Sequence, residues 1–406
     1  MLCDIKVKRF RANRVRRGAI LPLVIFVAVL IVMVGGSILA LSVHSQTFST
    51  RAAQQVRARA AADAGVTHAL LCMNNKLAGG PWSDASLPQL TNQSLPNTNA
   101  TFSYSVSGSQ AAGYTVTSTG TFAPFSKTIN ATVRLKGLFD TAILVGNKLE
   151  LGNNTVVDAY NSADSHDTHC DVQIGTLSTT PGSIDLGTTA VINADVFVGV
   201  DSDPASVISG SGAINGFAYP LDEPIGFENI VAPVLPNKGV LNITDDTELG
   251  PADSGQYDSI TIDNNETLTI EDGDVVLHVT GDIVMGNKSD LVIESGATLT
   301  LYVDGDIDAG NSDGIGNENT LPSAFKLFST GSPVQHWELK NKTDMFGVIY
   351  APDACVEVWN SGDICGSVAA DTFIMKNNGT FLYDEALRTV TVTDPGAEFT
   401  IRYWSE

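Results

Sequence analysis

The hydrophobic pattern changes character three times along the chain. From Ala19 to Val43, 25 residues run without a charge and are rich in Val, Ile and Leu. A helix that crosses a bilayer needs about 20 apolar residues, so this stretch is long enough. From Ser45 to Leu71 the composition shifts to Ala, Gln and Arg, with no Pro and an apolar residue about every helical turn. The two halves predict one long helix over 19–77, its first half in lipid. Residues 78–100, with Gly79-Gly80-Pro81 and many Asn and Ser, predict an irregular linker that ends it. Residues 101–137 alternate with period two in three runs separated by Gly or Pro, which predicts a small antiparallel β-meander.

From 138 to 388 short runs of Val, Ile and Leu alternate with Gly, Asn and Asp. The segment Val279-Thr280-Gly281-Asp282-Ile283-Val284-Met285-Gly286-Asn287 is echoed 24 residues later by Val303-Asp304-Gly305-Asp306-Ile307-Asp308-Ala309-Gly310-Asn311. Val275 and Leu277 map at the same offset onto Leu299 and Leu301, and a third Gly-Asp-Ile stands at 362–364. Such a period predicts a parallel β-helix, in which each coil buries an inward apolar row only against its neighbours. Asn at the corners tolerates left-handed backbone and ladders between coils. A β-sandwich, which needs no fixed period, is the alternative. Residues 389–406 read as terminal strands that cap the last coil. The fold class is therefore mainly β behind a long transmembrane α-helix.

Charge sets the orientation and removes one class of partner. Residues 1–18 form a basic leader with seven Lys and Arg against Asp4. Basic residues beside a span stay cytoplasmic, which places the N-terminus inside and the rest outside the inner membrane. A cleaved secretory signal has a shorter apolar region, about 7 to 15 residues. The net charge is -22 and the leader contributes +6, so the remainder carries -28, from 16 basic against 44 acidic residues. That surface repels nucleic acid. The five cysteines (Cys3, Cys72, Cys170, Cys355, Cys365) form no CxxC and no even framework. Cys355 and Cys365 are close in sequence, and a disulfide between them or two separate thiols both fit.

A basic leader ending in Gly18, an apolar helix from Ala19 and a polar helical extension together resemble type IV prepilin-like proteins. Ala61-Ala62-Asp63-Ala64-Gly65 followed by Ala69-Leu70 resembles the AAEAG-plus-helix segment of PilX-like minor pilins, with Asp63 in place of Glu. The tract from Thr117 to Leu135 resembles their sheet region. LGNNTVVDAYNS at 151–162 and the stretch from Phe346 to Leu387 resemble a β-helical domain fused behind PilX-type segments. The resemblance implies cleavage between Gly18 and Ala19 by a prepilin peptidase. It also implies partnership with other pilin subunits and inner-membrane pilus assembly proteins, and membrane attachment through residues 19–43. One position departs from the pattern: most pilins carry Glu at the fifth mature residue, and here Leu23 stands there.

Chemistry-bearing clusters are few. Asp164 to Asp171 gathers acids with His166, His169 and Cys170, a composition that suits Zn²⁺, but no second half with matching spacing follows. Asp304, Asp306 and Asp308 have the i, i+2 spacing that would put three carboxylates on one strand face, and the run to Gly314 is similar to a calcium loop but misses the EF-hand pattern. No phosphate-binding glycine loop, nucleophile elbow or H-E-x-x-H occurs, so no cofactor, no catalytic residue and no enzyme activity are expected. Three readings result: a structural or adhesive minor-pilin-like protein, an uncleaved envelope scaffold, and a tethered carbohydrate-active β-helix enzyme.

Overall fold

The computed structural model describes residues 20–164, 172–309, 314–331, 334–341, 344–360, 363–376, 378–392 and 394–405. The described residues fall into two compact units. The first takes its residues from Met1–Met73, Ser83–Val133 and Ile401–Glu406, and the second from Asn74–Trp82 and Arg134–Thr400.

One helix, α1, runs from Ile20 to Ala78. It is long and apolar enough to cross a membrane, and its apolar window is not buried against the rest of the protein. Within the helix, Ser37 and Thr47 donate their hydroxyls back to the carbonyls of Met33 and Val43, at 2.8 and 2.7 Å, so neither hydroxyl is left unpaired beside the apolar stretch. Gly79 and Gly80, the latter at a φ of 153°, followed by Pro81, stop it.

Beyond the apolar half, one stripe of α1 is buried: Ala58, Ala61, Ala62, Val66 and Ala69. It faces an antiparallel sheet of β1 (Gln89–Ser94), β2 (Thr101–Ser109), β3 (Gly113–Phe122) and β4 (Phe125–Lys136). The period-two alternation decides which side chains meet the helix, among them Phe102, Tyr104, Val116, Ile129 and Ala131. Small residues let the backbones approach: a Cβ on Gly65 would run into Ser118, and one on Gly120 into Ala58 and Ala62. Ser118 Oγ donates to the Ala62 carbonyl at 2.8 Å across this seam.

The sheet is larger than the three-run meander the sequence predicts. β1 forms inside the expected linker and pairs with β2, and the C-terminal strand Glu398–Ser405 lies beside β4 instead of capping a coil. Phe399 on this strand is buried, its ring centroid 4.6 Å from that of Trp82.

The second unit is built on parallel sheets. The 24-residue echo is their register: Val279 lies beside Val303 and Ile283 beside Ile307. One inward column can be followed through ten strands: Ile208, Ile184, Leu149, Phe373, Val356, Trp337, Ile307, Ile283, Ile260 and Leu241. Only its two terminal members, Ile208 and Leu241, are incompletely buried, because each has a neighbour on one side only.

The stacking order departs from chain order. The chain enters in the middle, at β5 (Ile143–Leu151), and steps outward to residue 220. It then restarts at the far end near Val240 and works back until Ile364–Met375 pairs with β5. Ten strands at the usual separation span about 43 Å. Residues 221–236, the connector between the ends, reach at most about 55 Å when extended. They lie over an outward aromatic column, with Leu221, Phe227, Ile230 and Ala232 packed against Phe197, Phe328 and Tyr350.

Candidate functional site

At the repeat corners the carboxylates of Asp282, Asp306 and Asp344 act on the backbone. Asp282 Oδ1 accepts the N–H of Asp306 at 2.9 Å, and Asp306 Oδ1 accepts the N–H of His336 at 2.8 Å. Asp344 takes the N–H of Asp363 in the same way, at 2.9 Å. Each corner acid thus caps a donor on the next repeat, while the following Ile or Trp points inward. Glycine precedes Asp282 and Asp306 because backbone is close: a Cβ on Gly305 would meet Gly281. Asn residues do the same at another corner, where Asn264 Oδ1 accepts the N–H of Asn287 at 2.7 Å and Asn265 sits at a φ of 64°.

The expectation that Asp304, Asp306 and Asp308 share one strand face fails. The strand Thr298–Val303 ends before Asp304, and the next, Ile307–Asp308, contains only Asp308. Asp304 turns instead to His278, whose Nε2 is 3.2 Å from both carboxylate oxygens, and accepts Thr330 Oγ1 at 2.6 Å. Among the described residues no three His, Cys, Asp or Glu side chains gather as a metal ion would require. His166, His169 and Cys170 lie outside the described residues, as do Gly18 and Ala19. Cys355 and Cys365 are free thiols. In the register Cys365 faces Phe346 and Cys355 faces Thr372, so the two are well separated along the strands.

Sequence reading did not anticipate a cleft of about 570 Å³ beneath the connector. Its floor comes from the outward column in which Tyr350, Ala369, Leu144, Gly175, Phe197 and Tyr219 are successive register partners. Phe227 closes one wall, edge-on to Tyr350 with ring centroids 6.1 Å apart. Tyr350 Oη donates to the Glu228 carbonyl at 2.8 Å and ties the connector down, and burial raises the pKa of this phenol. Gln173 Nε2 donates to Tyr219 Oη at 3.3 Å. Arg134, Lys136, Asp140, Glu228 and Glu398 supply charges of both signs at the rim. Arg134 pairs with Asp140 Oδ2 at 3.0 Å, whereas the buried Asp140 Oδ1 has no hydrogen-bond partner among the described residues. The sequence signal was present but thin: single aromatics at outward positions, 22 to 26 residues apart only where the period holds (Tyr302 to Phe328, Phe197 to Tyr219).

Residues 237–390 match a family described as Domain of unknown function (DUF7305). The match begins at the outer end of the stack and closes just after the strand that meets Val156–Tyr160. No curated protein matches the chain. Among solved structures, the competence-associated pilin ComZ from Thermus thermophilus is similar at 12% identity over 86% of this chain and 97% of that one, with a TM-score of 0.22. So low a TM-score says nothing about this chain's fold or role.

Proposed function

We propose that the chain is a membrane-anchored, minor-pilin-like subunit of a bacterial type IV pilus or type II secretion-like system, with its parallel strands wound as a β-helix and displayed outside the inner membrane. The observation that carries this reading is α1, whose exposed apolar half runs unbroken into a half seated on an antiparallel sheet. The seat is the Ala61-to-Gly65 segment on which the resemblance to PilX-like proteins rests. The continuous inward column supports the β-helix over the sandwich. The role is structural or adhesive rather than catalytic, since the corner acids are occupied with backbone donors. Its partners are other pilin subunits, the assembly proteins and a prepilin peptidase.

N-terminal sequencing of protein extracted from membranes of cells with an active prepilin peptidase tests this. The expected first residue is Ala19. A start at Met1 would favour the uncleaved envelope scaffold, to which Leu23 already gives some support because it cannot supply a carboxylate to a neighbouring subunit's amine. The same lack suits a rare subunit at a fibre end. Immunogold label is expected at the tip, and regular spacing along the shaft would exclude that placement.

A further inference from the structure

We propose that the cleft beneath the connector binds a neutral saccharide. Its volume of about 570 Å³ falls in the range of small-ligand sites. The whole lining belongs to the second unit. An aromatic floor with a polar rim is the arrangement that a sugar ring fits, because one face of the ring is C–H and its edge is hydroxyl. Tyr219 is half-buried and offers a ring beside Phe197, its partner in the register.

The rim selects among ligands. Arg134 and Lys136 oppose Asp140, Glu228 and Glu398, so neither sign dominates and a fully charged ligand meets repulsion on one side. A hydroxyl both donates and accepts, and therefore satisfies carboxylates and cations alike. Asp140 Oδ1 is an acceptor left without a donor among the described residues, a state that protein interiors avoid. Gln173 Nε2 donates to Tyr219 Oη, which leaves the phenolic proton to be given to a ligand oxygen. The His278–Asp304 pair and the corner acids are spent on protein partners and offer no comparable opening.

Saccharide binding is separable from the anchoring role, since it needs neither cleavage nor assembly. Ligand-observed NMR on the full chain in detergent tests it with glucose, galactose, N-acetylglucosamine, cellobiose and maltose, each against glucuronic acid as an anionic probe. At least one neutral sugar is expected to bind with a Kd of about 1 mM or tighter. Tyr219→Ala is expected to weaken that binding about tenfold. Glu228→Gln, on the exposed connector, is expected to weaken it about threefold without changing the melting temperature. Should Tyr219→Ala lose the folded stack, Glu228→Gln decides alone. The proposal falls if no neutral sugar binds at about 20 mM, if glucuronic acid binds best, or if folded Glu228→Gln binds as the parent does.

Discussion

Leu149 lies directly beside Phe373 in a parallel register, 224 residues further along the chain. The strand that begins the second unit is therefore covered on one side by the strand that nearly ends it. Each interior residue of this column depends on two neighbours from different turns of the chain. Ile283 and Ile307, at 6% and 3% exposure, are paired with each other in its interior. Ile283→Asp and Ile307→Asp are each expected to cost about 4 kcal/mol or more, because the new carboxylate has no partner there. Val284→Asp, at an outward position 42% exposed, is expected to cost less than about 0.5 kcal/mol. Chemical denaturation of the three variants checks this, and equal losses would place Ile283 and Ile307 outside the core.

The corner acids make a sharper distinction. Asp282→Ala removes the acceptor for the Asp306 N–H and is expected to cost about 1–2 kcal/mol. Asp282→Asn keeps an oxygen in place and should cost less than half of that. If the two variants melt together, the carboxylate oxygen contributes nothing at this corner.

Much of this architecture is legible in the sequence. The period of 24 residues is a physical register, so Ile283 and Ile307 could be placed side by side from sequence alone. The Gly-Asp-Ile triplets likewise announced corners, since only glycine tolerates the close backbone and a short side-chain oxygen reaches the next N–H. Asp304 and Asp306 misled because spacing of two implies a shared face only inside a strand, and a bend separates them from one. Entry in mid-stack was not legible either. Nothing in the residues of β5 distinguishes a partner 35 residues away, such as Ile184 for Leu149, from one 224 away. The cleft depends on that order, because the connector must run back along the stack to create its roof.

On α1 the seam predicts an overpacking penalty. Gly65→Leu would drive a side chain into the side chains of Ser118 and Phe102. A loss of about 1–3 kcal/mol is expected in the unit formed by the helix and its sheet. Gly65→Ala should be milder, although its Cβ already meets the Ser118 hydroxyl that donates to Ala62. Hydrogen exchange of the β2 and β3 amides reads the effect, and unchanged protection in Gly65→Leu would mean that the helix does not seat there.

Alkaline pH is the condition under which the second unit is expected to weaken first. Burial pushes the Cys365 thiol up to about 12, and the nearby carboxylates of Asp363, Asp344 and Asp384 add to the effect. An unfolded thiol ionises near 8.5. Between about pH 8.5 and 12 the unfolded chain therefore holds fewer protons than the folded one, and stability falls as pH rises. Burial raises the phenols of Tyr350 and Tyr383 as well, which extends the loss above about pH 10. Cys365→Ala removes one titrating group from this window, so its melting temperature should decline less steeply with pH even if its value near neutrality is lower. Iodoacetamide at about pH 8 should leave Cys365 unmodified in the folded protein and label it once denaturant is added. Melting curves for the parent and Cys365→Ala that stay parallel from about pH 8.5 to 12 would show that this thiol is not protected by the fold.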